Sequence, residues 1–240
     1  MGKLIVLTGA GLSAESGLRT FRDSNGLWEN HSIDVVCNGA TWRKNHVLVQ
    51  KFYNDRRLQL AAAAPNAAHR MVAAWQRRHE TVILTQNVDD LLERAGCDGV
   101  VHLHGFLPEM QCVDCGHVWN IGYLAWPQDG RCERCPSVKG VRPNIIFFGE
   151  MAPMYEVMWR AFASLAPEDV VVIIGTSGVV LPVGQMAAQF PGYKILNNLA
   201  AEPAIDDSAF DRVFYRPATQ AAAEINRIVD ERLGITAGKS

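Results

Sequence analysis

The sequence has little net charge and no long run of one charge sign. Its 240 residues include 23 Lys and Arg against 25 Asp and Glu, which gives a formal charge of −2. A balanced charge provides no general attraction to nucleic acid or to an anionic membrane surface. We therefore expect neither of these as a partner, and no charged interaction tail.

A long apolar run is also missing. The best candidate, residues 170–181, is interrupted by Gly175-Thr176-Ser177-Gly178 and is too short to span a bilayer. The first eleven residues carry too short an apolar stretch for a signal peptide, and no small-residue cleavage site follows. The sequence predicts a soluble cytoplasmic protein, and we expect a monomer.

Cysteine is scarce as well, and its spacing is more informative than its number. The chain has six cysteines, and intracellular chains rarely keep disulfides. Four of them form two CxxC pairs with 16 residues between the pairs: Cys112, Cys115, Cys132 and Cys135. This spacing is typical of a structural zinc site, because four thiolates fill the tetrahedral ligand shell. His117 could replace one ligand, but the complete set makes that unnecessary. Cys37 and Cys97 are expected to be buried thiols.

The pattern of apolar residues predicts an α/β fold. Short apolar runs predict strands at residues 3–7, 80–84, 144–148, 170–174 and 193–196, and helical spacing predicts helices at residues 42–64, 66–79, 89–95, 154–166 and 219–233. Several strands are apolar at every position, which favours a parallel sheet covered on both faces. Alternating strands and helices indicate a Rossmann-like, doubly wound sheet, which residues 110–140 interrupt as a small inserted module.

A glycine-rich loop follows the first predicted strand. Gly9-Ala10-Gly11-Leu12-Ser13-Ala14 fits the G-x-G-x-x-G/A pattern, in which glycines allow the backbone to approach a pyrophosphate at a helix N-terminus. The alternative is an ordinary strand-to-helix turn. The acidic residue that usually follows about 20 positions later at a second strand is missing. We therefore do not expect an ordinary dehydrogenase domain.

Motifs along nearly the whole chain resemble the signatures of the sirtuin family, and they occur in the family's order. They are Gly9-Ala10-Gly11-x-Ser13-x-x-Ser16-Gly17 with Phe21-Arg22-Asp23, Thr85-Gln86-Asn87-Val88-Asp89, His104-Gly105, the two CxxC pairs, Phe148-Gly149-Glu150 and Gly175-Thr176-Ser177. The resemblance implies a protein-lysine deacylase that consumes NAD. In such enzymes the acyl-lysine oxygen attacks the nicotinamide ribose, nicotinamide leaves, and the acyl group ends on ADP-ribose.

The resemblance also implies roles for individual residues. His104 matches the family's general base; His102 lies on the same side of an extended segment, so only the His-Gly step separates the two. The residues expected to contact NAD are Gly9, Ala10, Gly11, Ser13, Glu15, Phe21, Arg22, Asp23, Trp28, Gln86, Asn87, Asp89, Gly175, Thr176, Ser177, Asn198 and Ala218. Asp89 could instead cap a helix. Asn197 is the alternative to Asn198.

One pair of residues points to the acyl group. Tyr53 and Arg56 are three apart in a predicted helix and share a face, where a phenol and a guanidinium could bind a carboxylate. This Tyr-x-x-Arg resembles the marker of sirtuins that remove succinyl and malonyl groups, and acetyl would still fit. Arg57 is adjacent, so the pattern alone is ambiguous. Residues 141–150 resemble the segment on which a substrate peptide adds as a strand.

We expect one catalytic domain over residues 1–240 that acts on acyl-lysine proteins or peptides. Residues 1–30, 80–109 and 141–240 would form the Rossmann-like part, residues 31–79 a helical segment that lines the cleft, and residues 110–140 the zinc module. A protein ADP-ribosyltransferase and an NAD-sensing binding module are the alternatives. A zinc-finger nucleic-acid binder is disfavoured because the module has few basic residues.

Overall fold

The computed structural model describes residues 2–18, 27–28 and 31–234, with residues 27–28 described by their backbone alone. The strands are β1 (Leu4–Thr8), β2 (Leu27–Trp28), β3 (His31–Ser32), β4 (Thr81–Thr85), β5 (Val101–His102), β6 (Gly105–Cys112), β7 (Val118–Asn120), β8 (Val141–Ile145), β9 (Val170–Ile174), β10 (Tyr193–Asn198) and β11 (Arg212–Tyr215). The helices are α1 (Gly11–Ala14), α2 (Ile33–Val36), α3 (His46–Ala62), α4 (Ala67–Gln76), α5 (Leu91–Arg94), α6 (Tyr155–Ala163), α7 (Val183–Gln189) and α8 (Ala218–Arg232). The five helices predicted from the sequence are all present, with small shifts at their ends.

The main sheet of the described chain consists of six parallel strands in the order β11-β10-β9-β1-β4-β5. Strand β1 is central, and Leu4 pairs in register with Thr81 of β4 and with Val170 of β9. Both β1 and β9 are buried at all positions, which explains why their sequences are almost entirely apolar. The predicted parallel Rossmann-like sheet is confirmed.

Helices cover both faces of this sheet. Leu4 and Val6 point into a core with α4 and α8, whereas Ile5 and Leu7 point into a second core with α6 and α7. Successive side chains of a strand point to opposite faces, so one short run supplies both cores. The doubly wound arrangement follows from this two-sided burial.

A smaller sheet of three antiparallel strands has the order β7-β6-β8. The prediction that residues 144–148 form a strand of the main sheet is wrong, because the strand ends at Ile145 and pairs with β6. Apolar character alone does not tell which sheet a buried strand joins. The four cysteines cluster at this sheet, as expected for the inserted zinc-binding module.

Helix α3 packs against the smaller sheet and shares a core with it. Pro65 follows the helix, and the chain then turns directly into α4. The Asn66 side chain accepts hydrogen bonds from the backbone N–H groups of Ala68 and His69, and the His69 ring accepts from the Asn66 N–H in return. This capping box fixes where α4 begins, at the residue after Asn66.

Sequence reasoning missed several short elements. Strands β5 and β11 have two and four residues, and α7 has seven, so each is too short for a clear periodic pattern. Strand β6 was missed because Gly105 and Pro108 read as turn residues. In the part of the chain that the structure describes, no helix is both long enough and apolar enough to cross a membrane.

Candidate active site

A cleft of about 1010 Å³ opens at the carboxyl ends of β1, β4, β9 and β10. The chain runs from β1 to β4 on one side and later to β9 and β10 on the other, so β1 marks the switch point where open α/β sheets bind ligands. Every described residue that the sequence predicts to contact NAD lines this cleft: Gly9, Ala10, Gly11, Ser13, Glu15, Gln86, Asn87, Asp89, Gly175, Thr176, Ser177, Asn198 and Ala218. Four other predicted contacts lie outside the described side chains: Phe21, Arg22, Asp23 and Trp28.

Two glycine loops form the floor of the cleft and contact each other through their backbones. The Gly11 N–H donates to the Gly175 carbonyl oxygen at 2.9 Å. A Cβ on Gly9 would lie 2.6 Å from that oxygen, and a Cβ on Gly175 would lie 2.4 Å from the Leu12 nitrogen. Gly175 also has a φ of 68°, which disfavours other residues. The glycines are therefore needed for loop packing, in addition to the close ligand approach expected from the sequence.

A buried polar network joins the loops after β1 and β4. The Ser13 hydroxyl donates to Asp89 at 2.9 Å and accepts from the Asn87 amide at 3.0 Å. Burial raises the pKa of Asp89 to about 6, and the hydrogen bond from Ser13 opposes this shift. The Asp89 carboxylate also accepts from the N–H of Leu91, the first residue of α5, at 3.1 Å, although the N-cap position itself is Asp90. Asn87 and Asp89 are thus fixed at the cleft wall.

His69 is a member of this network that the sequence analysis did not single out. Its Nδ1 accepts from the Asn66 N–H, and its Nε2 lies 3.4 Å from the Ser13 hydroxyl. Burial lowers the pKa of His69 to about 4, so the ring is neutral at neutral pH. The available signal was the helix N-terminus, because a side chain three residues after an Asn cap reaches back to that cap.

The structure separates the two candidate histidines. His104 lines the cleft, with Nδ1 3.0 Å from the Gln86 carbonyl oxygen and Nε2 2.8 Å from the Tyr155 hydroxyl. His102 instead contacts the Asn87 carbonyl oxygen at 3.0 Å and Glu93 at 2.7 Å. The expectation that both rings lie on the same side of an extended segment is wrong, because residues 103–104 form a turn between β5 and β6.

The electrostatic environment of the two rings differs as well. Burial lowers the pKa of His104 and favours the neutral imidazole that a general base requires. Burial acts in the same direction on His102 and is the largest single effect, but the hydrogen bond and charge of Glu93, the hydrogen bond to the Asn87 carbonyl oxygen and the charge of Asp89 together outweigh it and raise the pKa of His102. Of the two, His104 has the lowered pKa and is the ring that lines the cleft.

The loops after β9 and β10 are joined by side-chain amides. Asn198 accepts from the Thr176 N–H at 3.0 Å and donates to the Thr176 carbonyl oxygen at 2.9 Å. Asn197 donates to the carbonyl oxygens of Phe214 and Arg216, and so holds β11. Gln86 donates to the Thr176 hydroxyl at 3.0 Å, which connects the loop after β4 to the same cluster. Both asparagines line the cleft, and both also fix the backbone around it.

Glu15 has a structural contact that the sequence did not indicate. Its carboxylate accepts from the Thr219 N–H at 3.0 Å and from the Thr219 hydroxyl at 2.6 Å. An acidic group beside these backbone N–H groups stabilises the start of α8. Ala218, the first residue of that helix, is therefore held at the cleft wall.

The two residues predicted to bind the acyl group, Tyr53 and Arg56, lie in different places relative to the cleft. Arg56 lines the cleft, and its guanidinium lies 4.8 Å from the centre of the Phe52 ring. Tyr53 is fully buried behind the wall, where it stacks on Phe147 and its hydroxyl contacts the Cys37 thiol. Burial raises the pKa of Tyr53 well above its ordinary value, so the phenol stays protonated. Both Cys37 and Phe147 line the cleft.

The structure also resolves the ambiguity between neighbouring arginines. Arg57 is fully buried and donates to the Leu107 carbonyl oxygen at 3.0 Å and to the Asn54 side chain at 3.0 Å. These contacts attach α3 to β6. Arg57 therefore stabilises the fold, and Arg56 is the guanidinium of this helix that faces the cleft.

The four cysteines form a compact cluster at one end of the smaller sheet, and their sulfur atoms all lie within 4.8 Å of one another. Two of the Sγ–Sγ distances, Cys112 to Cys135 and Cys115 to Cys132, are 3.6 Å. Thiolates about 2.3 Å from a zinc ion at tetrahedral angles have Sγ–Sγ edges of about 3.8 Å. The donor set therefore fits zinc and not disulfides. His117 faces Glu133 at 3.4 Å, outside the four-thiolate cluster.

Comparisons with known proteins agree with this architecture. Residues 9–182 match the sequence profile of the Sir2 family. The chain is 44% identical to an NAD-dependent protein deacylase of Helicobacter hepaticus, over 96% of this chain and 98% of that protein. An NAD-dependent protein deacylase of Campylobacter jejuni is 43% identical over 94% of each chain.

Solved structures of Sir2 homologues have the same fold. A mutant homologue in complex with ADP-ribose has a TM-score of 0.84 and 34% identity, with 98% of this chain and 95% of that chain covered. A homologue in complex with NAD has a TM-score of 0.82 and 34% identity, with 97% and 91% covered. The chain belongs to the Sir2 family, the sirtuins that its motifs resemble.

Proposed function

We propose that this protein is an NAD-dependent protein-lysine deacylase that transfers the acyl group from lysine to ADP-ribose. The observation that carries the proposal is the position of His104, a neutral imidazole in the same cleft as the glycine loops and the Asn87–Asp89 pair. The names of its relatives support the same activity.

The residues of the cleft fit NAD. Its volume of about 1010 Å³ suits a dinucleotide, and the loops at Gly9–Gly11 and Gly175–Ser177 present small residues at the strand ends. We assign the phosphates to these loops and the nicotinamide ribose to the side of Asn87 and Asp89. The adenosine end would lie toward Asn198 and Ala218.

His104 would accept a proton from a ribose hydroxyl after nicotinamide has left. When bound, NAD supplies the ribose carbon that receives the acyl oxygen and the nicotinamide that departs. The Gln86 carbonyl oxygen accepts the Nδ1 proton of His104, which leaves the lone pair on Nε2. The imidazole is then oriented to receive a proton from within the cleft.

We further propose that the enzyme prefers acyl groups that end in a carboxylate, such as succinyl and malonyl, and also removes acetyl. Arg56 supports this preference because a guanidinium at the cleft wall can bind a carboxylate through two N–H groups. Tyr53 would add its phenol from behind the wall, next to Cys37. The backbone of residues 141–150 would pair with the substrate peptide as an added strand.

The test compares NAD-dependent removal of succinyl and acetyl from one lysine peptide. We expect Arg56→Met to lose succinyl removal by about a hundredfold, as expected for an unpaired carboxylate, while acetyl removal changes little. Arg56→Lys should recover only part of the succinyl activity, since lysine lacks the bidentate fork. Lys51→Met, an exposed position on the same helix, is the matched control and should leave both activities unchanged.

The other outcomes identify the alternatives. Equal removal of both groups, unaffected by Arg56→Met, would leave a deacylase without acidic preference. Release of nicotinamide with no acyl removal, and with ADP-ribose attached to protein, would instead support the ADP-ribosyltransferase.

The four cysteines would hold zinc in a structural role. A monomeric state and a cytoplasmic location stay predictions.

A further inference from the structure

The catalytic histidine of the proposed reaction has a partner that the sequence motifs do not include. Tyr155 is the first residue of α6, and its hydroxyl lies 2.8 Å from Nε2 of His104. The two ring centres are 5.8 Å apart at an angle of 53°. Tyr155 is partly buried, lines the cleft and packs against the core beneath α6.

The direction of this hydrogen bond follows from the other side of the ring. Nδ1 of His104 lies 3.0 Å from the Gln86 carbonyl oxygen, which can only accept, so Nδ1 carries the proton. In a neutral imidazole, Nε2 then has the lone pair. The Tyr155 hydroxyl must donate to it, and burial raises the pKa of Tyr155, so the phenol keeps its proton.

The atom that has to accept the ribose proton is therefore already hydrogen-bonded. A ring held at both nitrogens cannot rotate freely, so its lone pair keeps one direction. A ribose hydroxyl that enters the cleft must take the place of the Tyr155 hydroxyl at Nε2. The phenol would then orient the imidazole before NAD binds and give way when the substrate hydroxyl arrives.

We infer that Tyr155 is a positioning residue for His104, whose hydroxyl orients the imidazole and shields its lone pair until a ribose hydroxyl displaces it. This inference rests on the proposed deacylase function. It concerns only the step that uses the general base. Cleavage of NAD and departure of nicotinamide come before that step, so they should not depend on Tyr155.

The experiment measures two reactions of Tyr155→Phe, a variant that keeps the ring and removes the hydroxyl. We expect kcat for deacylation to fall on the order of tenfold, less than the loss in His104→Ala, because the base itself remains. The KM for NAD and the rate of exchange of labelled nicotinamide into NAD should stay within about twofold of wild type. Tyr215→Phe is the matched control, because Tyr215 lies on strand β11, its hydroxyl donates to Asp207 outside the cleft, and its loss should have no effect on either reaction.

A second readout does not require activity. In uncomplexed protein labelled with ¹⁵N-histidine, the Nε2 resonance of His104, assigned with His104→Gln, reports whether the lone pair is hydrogen-bonded. We expect this resonance to move toward the position of a free lone pair in Tyr155→Phe and to stay unchanged in Tyr215→Phe.

The outcomes separate the inference from the function on which it rests. An active wild type whose Tyr155→Phe variant has normal kcat and an unchanged Nε2 resonance would overturn the role of Tyr155 alone. An equal loss of exchange and deacylation would also overturn it, since it would show damage to the cleft. A wild type without deacylation would overturn the proposed function, while the resonance shift would still test the contact.

Discussion

At the scale of single residues, the cleft depends on glycines, which have no side chain, as much as on polar side chains. Gly9, Gly11 and Gly175 let two loops meet backbone to backbone, and the polar groups Asn87, Asp89 and His104 are then held by hydrogen bonds around them. Because each of these groups is fixed by a neighbour, small changes in the floor should affect both stability and binding.

The floor can be tested with Gly175→Ala. Its φ of 68° costs an alanine about 1 kcal/mol, and the added Cβ would lie 2.4 Å from the Leu12 nitrogen, so we expect a total loss of about 3 kcal/mol in the free energy of unfolding. Gly99→Ala is the control, with a φ of 62° and no atom within 4 Å of its Cβ. Urea unfolding should show a loss in the control of only about 1 kcal/mol. Equal losses in the two variants would show that loop packing does not matter.

The pH dependence of the reaction belongs to the same scale. Burial lowers the pKa of His104 below its ordinary value of 6.5, so most of the imidazole is neutral at pH 6.5 and above. The neutral form that could accept a proton is lost only as the pH falls through this lowered pKa. We expect kcat/KM for an acetyl-lysine peptide to keep more than half of its plateau value at pH 6.5. A half-maximal point above pH 6.5 would contradict this assignment.

At the scale of elements, β8 and the loop after it connect the smaller sheet to the cleft. Arg142 on β8 is buried between the Trp42 and Phe147 rings and pairs with Glu150 at 2.7 Å. Glu150 also accepts from the Phe147 N–H at 2.8 Å. This pair helps to close the loop that contains Phe148 and Gly149, and backbone hydrogen bonds from Phe148 to Cys37 and from Gly39 to Phe148 also hold that loop.

Replacing Arg142 alone should destabilise the protein more than replacing both Arg142 and Glu150. Arg142→Met leaves the Glu150 carboxylate without its cation, and we expect a loss of about 3 kcal/mol in the free energy of unfolding. Adding Glu150→Gln should recover part of that loss, because the uncompensated charge is gone. Denaturant unfolding of both single variants and the double variant measures the coupling. Additive losses would show that the two residues do not act as a pair.

At the scale of the whole molecule, two sheets of different kinds share one short connection. Strand β5 ends the main sheet at His102, His104 lies in the turn, and β6 begins the smaller sheet at Gly105. His104 is therefore held between the sheet that forms the cleft and the sheet that carries the cysteines. A change in the structure of either sheet should therefore alter the position of the His104 side chain.

Zinc removal tests this dependence. We expect a chelator, or Cys112→Ser, to abolish deacylation and lower the melting temperature, because four thiolates bound to zinc stabilise a module with a small core. Most helical circular dichroism should remain, since α4 and α8 pack on the main sheet. Cys97→Ser, a buried cysteine outside the cluster, is the control and should retain one zinc per chain. Full activity after complete loss of zinc would contradict the proposed connection.

The sequence by itself determined the local features. Uniformly apolar runs predicted the central strands and CxxC spacing predicted the cysteine cluster, because each of these depends on residues close together in the chain. The order of the motifs along the chain indicated the family. The tertiary structure decided what depends on distant neighbours. It assigned residues 141–145 to the smaller sheet, turned His102 and His104 apart, and placed Arg56 rather than Arg57 at the cleft. It also brought Tyr155 to His104 across 51 residues of chain, a contact that no local pattern encodes because packing of α6 on the sheet creates it.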